Sequence, residues 1–160
     1  MTPTVDERLA SIVRSLTEVI LPHLPPEASL AQEQVQLSIG HLQILRAQLD
    51  AVPAHEREEL ADAIAIAKAL IAGVSGEANT SAAIRDLSAL AYGADGSDVR
   101  GQTAAINKAV DALVRAVSAD GADGAKVALS AIILAHEAAR VDKDRRWFLP
   151  FGFDTMEPAA

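Results

Sequence analysis

The sequence predicts an all-α protein, an antiparallel bundle of five or six helices that ends in an extended aromatic arm. Half of the 160 residues are hydrophobic but only 3 % are aromatic, so aliphatic side chains must build the core, and this composition favours helix over sheet. Apolar residues recur at intervals of three and four, and no segment alternates as a strand does. A chain of this length is expected to form one domain, 1–160.

The first helix is predicted to begin at a capping box formed by Thr4 and Glu7, in which each side chain binds the other residue's backbone amide. It is expected to stop or kink at Pro22, because two further prolines follow. Its apolar residues have helical spacing: Leu9, Ile12, Val13, Leu16, Val19 and Ile20.

The second helix is predicted from Ser29 to about Leu49, with Ser29 and Gln32 repeating the capping pattern. Its apolar residues cover more than half of the circumference, so the helix is either central in the bundle or shared with a partner. One face consists of Val35, Ile39, Leu42, Leu45 and Leu49, and another of Leu30, Leu37 and Ile44.

A third helix is expected between Pro53 and Gly73, where the N-terminal helical half, 4–71, ends. Residues 72–81 are rich in Gly, Ser, Asn and Thr and are predicted to be a linker to the C-terminal helical half, 82–146. That half contains the most regular apolar stripe of the chain, Ile106, Val110, Leu113 and Val117. The acidic turn Asp120–Gly124 before the last helix is expected to be solvated.

Four polar residues are candidates for an internal pocket. His41 lies between the two apolar faces of the second helix, with Gln34 and Gln48 about two turns away on the same side. His136 is expected on an apolar face of the last helix, so the two imidazoles would form a proton-transfer or metal site if they met. A histidine satisfied within the core or an interface explains His41 more simply.

The C-terminal arm, 147–160, begins with four of the five aromatic residues of the chain within seven positions. Pro150 and Gly152 predict an extended segment there, and its apolar area must be covered. It is open whether the arm packs on its own bundle, on a twin subunit or on another protein. The residues expected to bind a partner are Arg145, Arg146, Trp147, Phe148, Phe151 and Phe153.

Charge and composition exclude several classes of function. The net charge of −8 argues against a nucleic-acid partner or an anionic membrane. The chain has no Cys, no Glu-x-x-His sequence and no glycine-rich phosphate loop, so no metal and no cofactor is expected. Asp6 and Glu7 lie where a secretory signal needs basic residues, and the apolar runs are too short to span a membrane, so a cytoplasmic location is expected.

The stretch from Leu9 to Ile71 contains Ile20-Leu21-Pro22-x-Leu24 at the end of one apolar helix and Leu42-Gln43-Ile44-Leu45 within the next, followed by an Ala- and Glu-rich helix. This order resembles small, uncharacterised all-helical bacterial proteins found beside aminoglycoside-phosphotransferase-like kinases and acyl-CoA dehydrogenases. Because that family has no assigned activity, the resemblance implies an accessory role and assigns no residue a function.

These observations predict a non-catalytic interaction protein that acts by self-association, as a homodimer, or by binding another protein. The contact surface would be the second helix and the aromatic arm. The alternative is a small enzyme or ligand-binding bundle with an internal pocket around His41.

Overall fold

The computed structural model describes residues 2–152, and within this range the chain is all-helical, without a β-strand. The predicted fold class and the upper estimate of six helices are therefore confirmed. The helices are α1 (Val5–Arg14), α2 (Ser29–Gln48), α3 (Val52–Gly73), α4 (Ala78–Gly93), α5 (Val99–Asp120) and α6 (Ala125–Phe148).

The chain forms two compact units, Met1–Pro53 and Ala54–Ala160. The predicted linker does not separate them. Its central part is a short loop, 74–77, that joins α3 to α4 inside the second unit. The reason is that the apolar side chains of α3 belong to the same core as those of α4 to α6.

In the first unit, α1 begins as predicted. The Glu7 amide donates to Thr4 Oγ1 at 3.2 Å and the Thr4 amide donates to Glu7 Oε2 at 2.7 Å, which completes the capping box. Beyond Arg14 the helix continues through a wider π-helical turn, Ser15–Ile20, and a 3₁₀ turn, Leu21–His23. Pro22 lies in that final turn, where its missing amide costs no helical hydrogen bond.

The second predicted capping box is wrong. Helix α2 does begin at Ser29, but its N-cap is Ala28, which offers no side-chain acceptor. Gln32 instead donates from Nε2 to the carbonyl oxygen of Pro25 at 2.9 Å, which ties the helix to the proline turn before it. Near the other end, the Arg46 guanidinium makes two hydrogen bonds to the Asp6 carboxylate and so links α2 to α1.

Helices α1 and α2 do not build a sealed core. No side chain among the described residues of the first unit is buried, and the best-covered ones are half-buried. Seven large apolar side chains of this unit are instead between 41 % and 70 % exposed. They are Val5, Ile12, Val19, Ile20, Leu30, Leu37 and Leu45.

The second unit contains a continuous aliphatic core to which all four of its helices contribute. The stripe predicted for α5 is confirmed: Ile106, Leu113 and Val117 are buried and Val110 packs against the core. The largest fully buried side chains are Leu70, Leu87, Ile106, Leu113, Val117 and Thr80.

The Asp120 turn is part of a joint between the α3–α4 and α5–α6 loops, which corrects the expectation of a solvated turn. The Asp120 carboxylate accepts from the Asn79 amide at 2.6 Å, the Thr80 amide at 2.9 Å and Thr80 Oγ1 at 2.6 Å, so it caps the N-terminus of α4 from another helix. Backbone bonds from Glu77 to Asp120 and from Ala122 to Ser75 complete the joint. The hydrogen bond from Thr80 is the largest of the effects that lower the pKa of Asp120.

We expect Asp120→Asn to destabilise the protein at neutral pH. The carboxylate offers two acceptor oxygens to its three donors, whereas an amide offers only one acceptor oxygen. Since folding lowers the pKa of Asp120 from 3.8, its contribution is complete above that pH and is lost as the pH falls through the folded-state pKa. The difference in urea midpoint between wild type and Asp120→Asn should therefore shrink below pH 3.8. Asp123→Asn, in the same turn, is the control; a difference independent of pH would contradict this role.

The C-terminal region differs from the predicted extended arm. Helix α6 continues through Trp147 to Phe148, and a 3₁₀ turn, Leu149–Phe151, follows. Pro150 is accommodated because it lies in the first positions of that turn, where no amide hydrogen bond is required. Phe153 lies outside the described residues. Within residues 2–152, no helix combines the length and apolarity needed to cross a membrane.

Candidate functional site

Polar side chains face each other where the start of α3 meets the end of α6. On α3, His55, Glu58, Glu59 and Asp62 have the spacing that places side chains on one helical face. On α6, Trp147 lies four residues after Lys143 and three residues after Asp144, so it is a neighbour of both on the helix surface. We call these seven residues the α3–α6 polar cluster.

Lys143 is the cation of the cluster, and its side chain is only 17 % exposed. Its Nζ lies 2.8 Å from Asp62 Oδ2, 3.3 Å from Glu59 Oε1 and 3.7 Å from Glu58 Oε2. Burial acts to lower the pKa of Lys143, but the hydrogen bond to Asp62 and the ion pair with Glu59 outweigh it and hold that pKa above its ordinary value. The ammonium is therefore charged at neutral pH and fastens α6 to α3.

The His55 and Trp147 rings stack, with centroids 4.2 Å apart and planes inclined by 17°. This contact between α3 and α6 covers part of the indole and restrains the imidazole. His55 Nε2 lies 4.0 Å from Glu59 Oε1. A ligand atom from each of His55, Glu59 and Asp144 lies within 4.8 Å of the others, and all three residues are half-buried.

The cluster borders a cleft of about 240 Å³ between α3, α5 and α6, smaller than the roughly 300–1,000 Å³ of typical ligand pockets. Glu59 and Asp62 belong to the cluster and also line the cleft. The lining combines apolar and ionisable side chains: Glu59, Asp62, Ala63, Ile66, Thr103, Asn107, Val110, Asp111, Val114, Ile133, His136, Glu137 and Arg140.

The residues of the predicted pocket are not brought together in this cleft. His136 lines it, whereas Gln34, His41 and Gln48 do not. His41 and Gln34 are exposed on α2, so His41 lacks the desolvation expected from its position between two apolar faces. Gln48 is half-buried, and its Nε2 has no hydrogen-bond acceptor among the described residues.

The residues predicted to bind a partner divide into several environments. Trp147 is half-buried in the stack with His55. For this side chain, the structure therefore shows packing within its own chain. Phe151 is half-buried in the final turn and Phe148 is 42 % exposed. Arg145 and Arg146 are exposed near the end of α6, where cations interact favourably with the helix dipole.

Sequence reasoning missed the cluster. A signal was present, because the acidic residues of α3 have the spacing of one face and the basic residues of α6 were already prominent. Their pairing depends on tertiary structure, since Lys143 and Asp62 are 81 positions apart.

No protein-family model, curated protein or solved structure matches this chain. The site must therefore be interpreted from its own chemistry.

Proposed function

We propose that this protein is a non-catalytic interaction protein that works as a homodimer, with the outward face of α2 as its contact surface. One observation supports this most strongly: the first unit exposes seven large apolar side chains and buries none among its described residues. A pair of helices cannot enclose its own apolar faces, whereas two such pairs can form a four-helix bundle.

The outward face of α2 has the pattern of a short helix–helix seam, in which Leu30 and Leu37 are exposed and Ile44 is half-buried. Leu30, Leu37 and Ile44 recur every seven residues, which keeps them in line along a helix that packs against another at a small angle. Gln34, His41 and Gln48 occupy the alternate positions of the same seam, four residues after each apolar one. The polar residues predicted to line a pocket thus become polar layers between apolar layers.

The chemistry of this seam favours a second copy of the chain as the partner. Only Glu33 and Arg46 carry formal charge within α2, and Arg46 is paired with Asp6. A nearly neutral surface offers no attraction to a strongly charged partner. Its two glutamines, Gln34 and Gln48, each present a donor and an acceptor, so the same surface on a twin can satisfy them. A two-fold interface requires this self-complementarity.

Polar layers also set the properties of the dimer. A polar side chain in the core positions of a helical seam lowers stability but specifies which register the helices adopt. Three such layers alternate with three apolar ones here, so we expect a specific dimer of moderate affinity that dissociates on dilution.

Sedimentation equilibrium of the full chain and of Leu37→Glu tests this proposal. Leu37 is 50 % exposed, so its burial in a dimer contributes about 1 kcal/mol per copy. Two copies would lose this contribution and gain two carboxylates in the seam, which weakens the dimer by about 100-fold. His41→Leu should shift the equilibrium in the other direction, by removing a polar layer.

The matched control is Leu134→Glu, because Leu134 is 69 % exposed on α6 and lies in the second unit. It should leave the dimer unchanged. A wild-type chain that remains monomeric at about 100 μM, the concentration at which even a weak specific dimer forms, would overturn the proposal. So would equal weakening by Leu37→Glu and Leu134→Glu.

A further inference from the structure

We propose that His55, Glu59 and Asp144 form a binding site for a divalent transition-metal ion. The proposal concerns a single chain and the second unit only, so it stands independently of self-association through α2. It rests on the convergence of three ligand-type side chains, on an oxygen among them that accepts no hydrogen bond and on the local excess of negative charge.

The three ligands come from two helices whose geometry is fixed by other contacts. His55 and Glu59 are one helical turn apart on α3, and Asp144 faces them from α6. Their ligand atoms lie within 4.8 Å of one another, and donors around Zn²⁺ sit at about 2.0–2.2 Å from the metal. The three ligand atoms would therefore have to move closer together when an ion binds.

One of the ligand atoms lacks a hydrogen bond. Glu59 Oε1 is buried from solvent and accepts no hydrogen bond from the described residues. Lys143 Nζ is 3.3 Å away and contributes an ion pair, but it donates its hydrogen bond to Asp62 at 2.8 Å. Coordination of a cation by Glu59 would replace its ion pair with Lys143, whose ammonium remains neutralised by Asp62.

The balance of charge also favours a cation. The α3–α6 polar cluster contains four carboxylates, Glu58, Glu59, Asp62 and Asp144, against the single ammonium of Lys143. A divalent ion removes two of the three uncompensated negative charges. The stack with Trp147 holds the His55 ring in place, so little ordering of the imidazole is needed on binding.

The ligand set indicates the class of metal. An imidazole nitrogen is a ligand for Zn²⁺, Co²⁺ and Ni²⁺, whereas Mg²⁺ and Ca²⁺ prefer oxygen alone. One nitrogen and two carboxylates supply three protein ligands and leave a position for water, as in open zinc sites.

Trp147 provides a direct readout, because it is the single tryptophan of the chain and its ring stacks on the proposed ligand His55. We expect Co²⁺ to quench its fluorescence saturably with one ion per chain, and Zn²⁺ to displace the Co²⁺ and restore the emission. An excess of Mg²⁺ should displace nothing. Calorimetric titration with Zn²⁺ gives the stoichiometry and affinity independently of the fluorophore.

Glu59→Gln and Asp144→Asn should each weaken Zn²⁺ binding at least tenfold, since each removes a charged ligand. Asp142→Asn, an exposed position on the same helix, is the matched control and should bind like wild type. Circular dichroism establishes that each variant is folded before titration.

Three results would overturn the proposal. The first is no saturable quenching up to about 1 mM Co²⁺, which corresponds to negligible affinity. The second is equal affinity in Glu59→Gln, Asp144→Asn and Asp142→Asn. The third is displacement of Co²⁺ by Mg²⁺ at equal concentration, which would indicate an acidic patch without a coordinating imidazole.

Discussion

Leu113→Ala is expected to lower the free energy of unfolding by about 3 kcal/mol, because removing a buried leucine forfeits its transfer free energy and leaves a cavity. Leu113 is fully buried at the centre of α5 and belongs to the core shared by the four helices of the second unit. Rigid neighbours on several helices cannot all move in to fill the space. Urea denaturation followed by circular dichroism measures the loss.

Leu134→Ala is the matched control, since it makes the same chemical change at a side chain that is 69 % exposed on α6. Exposed substitutions of this kind change stability by less than about 0.5 kcal/mol. If both variants lost the same stability, Leu113 would not be part of a tightly packed core.

The second large effect is expected for Gly76→Ala, which we predict lowers the free energy of unfolding by about 1–3 kcal/mol through overpacking. A Cβ at this position would lie 2.6 Å from Thr80 Cβ and 2.8 Å from the backbone oxygen of Asp120. That oxygen accepts the Glu77 amide, so the added methyl group must separate the two loops or break their hydrogen bond.

Gly93→Ala is the control for this substitution. Position 93 is the last residue of α4, and a Cβ there meets no atom within 4 Å. Because alanine is the better helix former, this variant should be as stable as wild type or slightly more stable. Thermal unfolding of Gly76→Ala and Gly93→Ala measures the difference in stability between the two variants. If Gly76→Ala were as stable as Gly93→Ala, the joint would not be closely packed.

Much of the fold follows from local patterns in the sequence. The capping box of α1 needs only Thr4 and Glu7, and the buried stripe of α5 is visible as a spacing of three and four residues. The bounds of α3 follow from a proline near its start and a glycine at its end. These features are predictable because the interacting residues are close together in the chain.

The features that could not be predicted depend on pairs of distant residues. Asp120 looked like a solvated turn residue because its donors, Asn79 and Thr80, lie on another helix. The sequence predicts an extended arm because Pro150 and Gly152 follow Trp147, but it does not identify the surface on which the arm packs. In the structure the indole stacks on His55 of α3. For the candidate metal site, the spacing of His55 and Glu59 is visible in the sequence. The position of Asp144 beside them depends on how α6 packs.

The two long-range contacts described above close loops of different size in the unfolded chain. The joint at Asp120 connects residues 40 positions apart, whereas the Lys143–Asp62 pair connects residues 81 positions apart. A doubling of loop length adds about 0.6 kcal/mol of closure entropy. The α4–α5 hairpin is therefore the region of the second unit in which folding can start at the smaller entropic cost, and the docking of α6 on α3 is favoured to follow it.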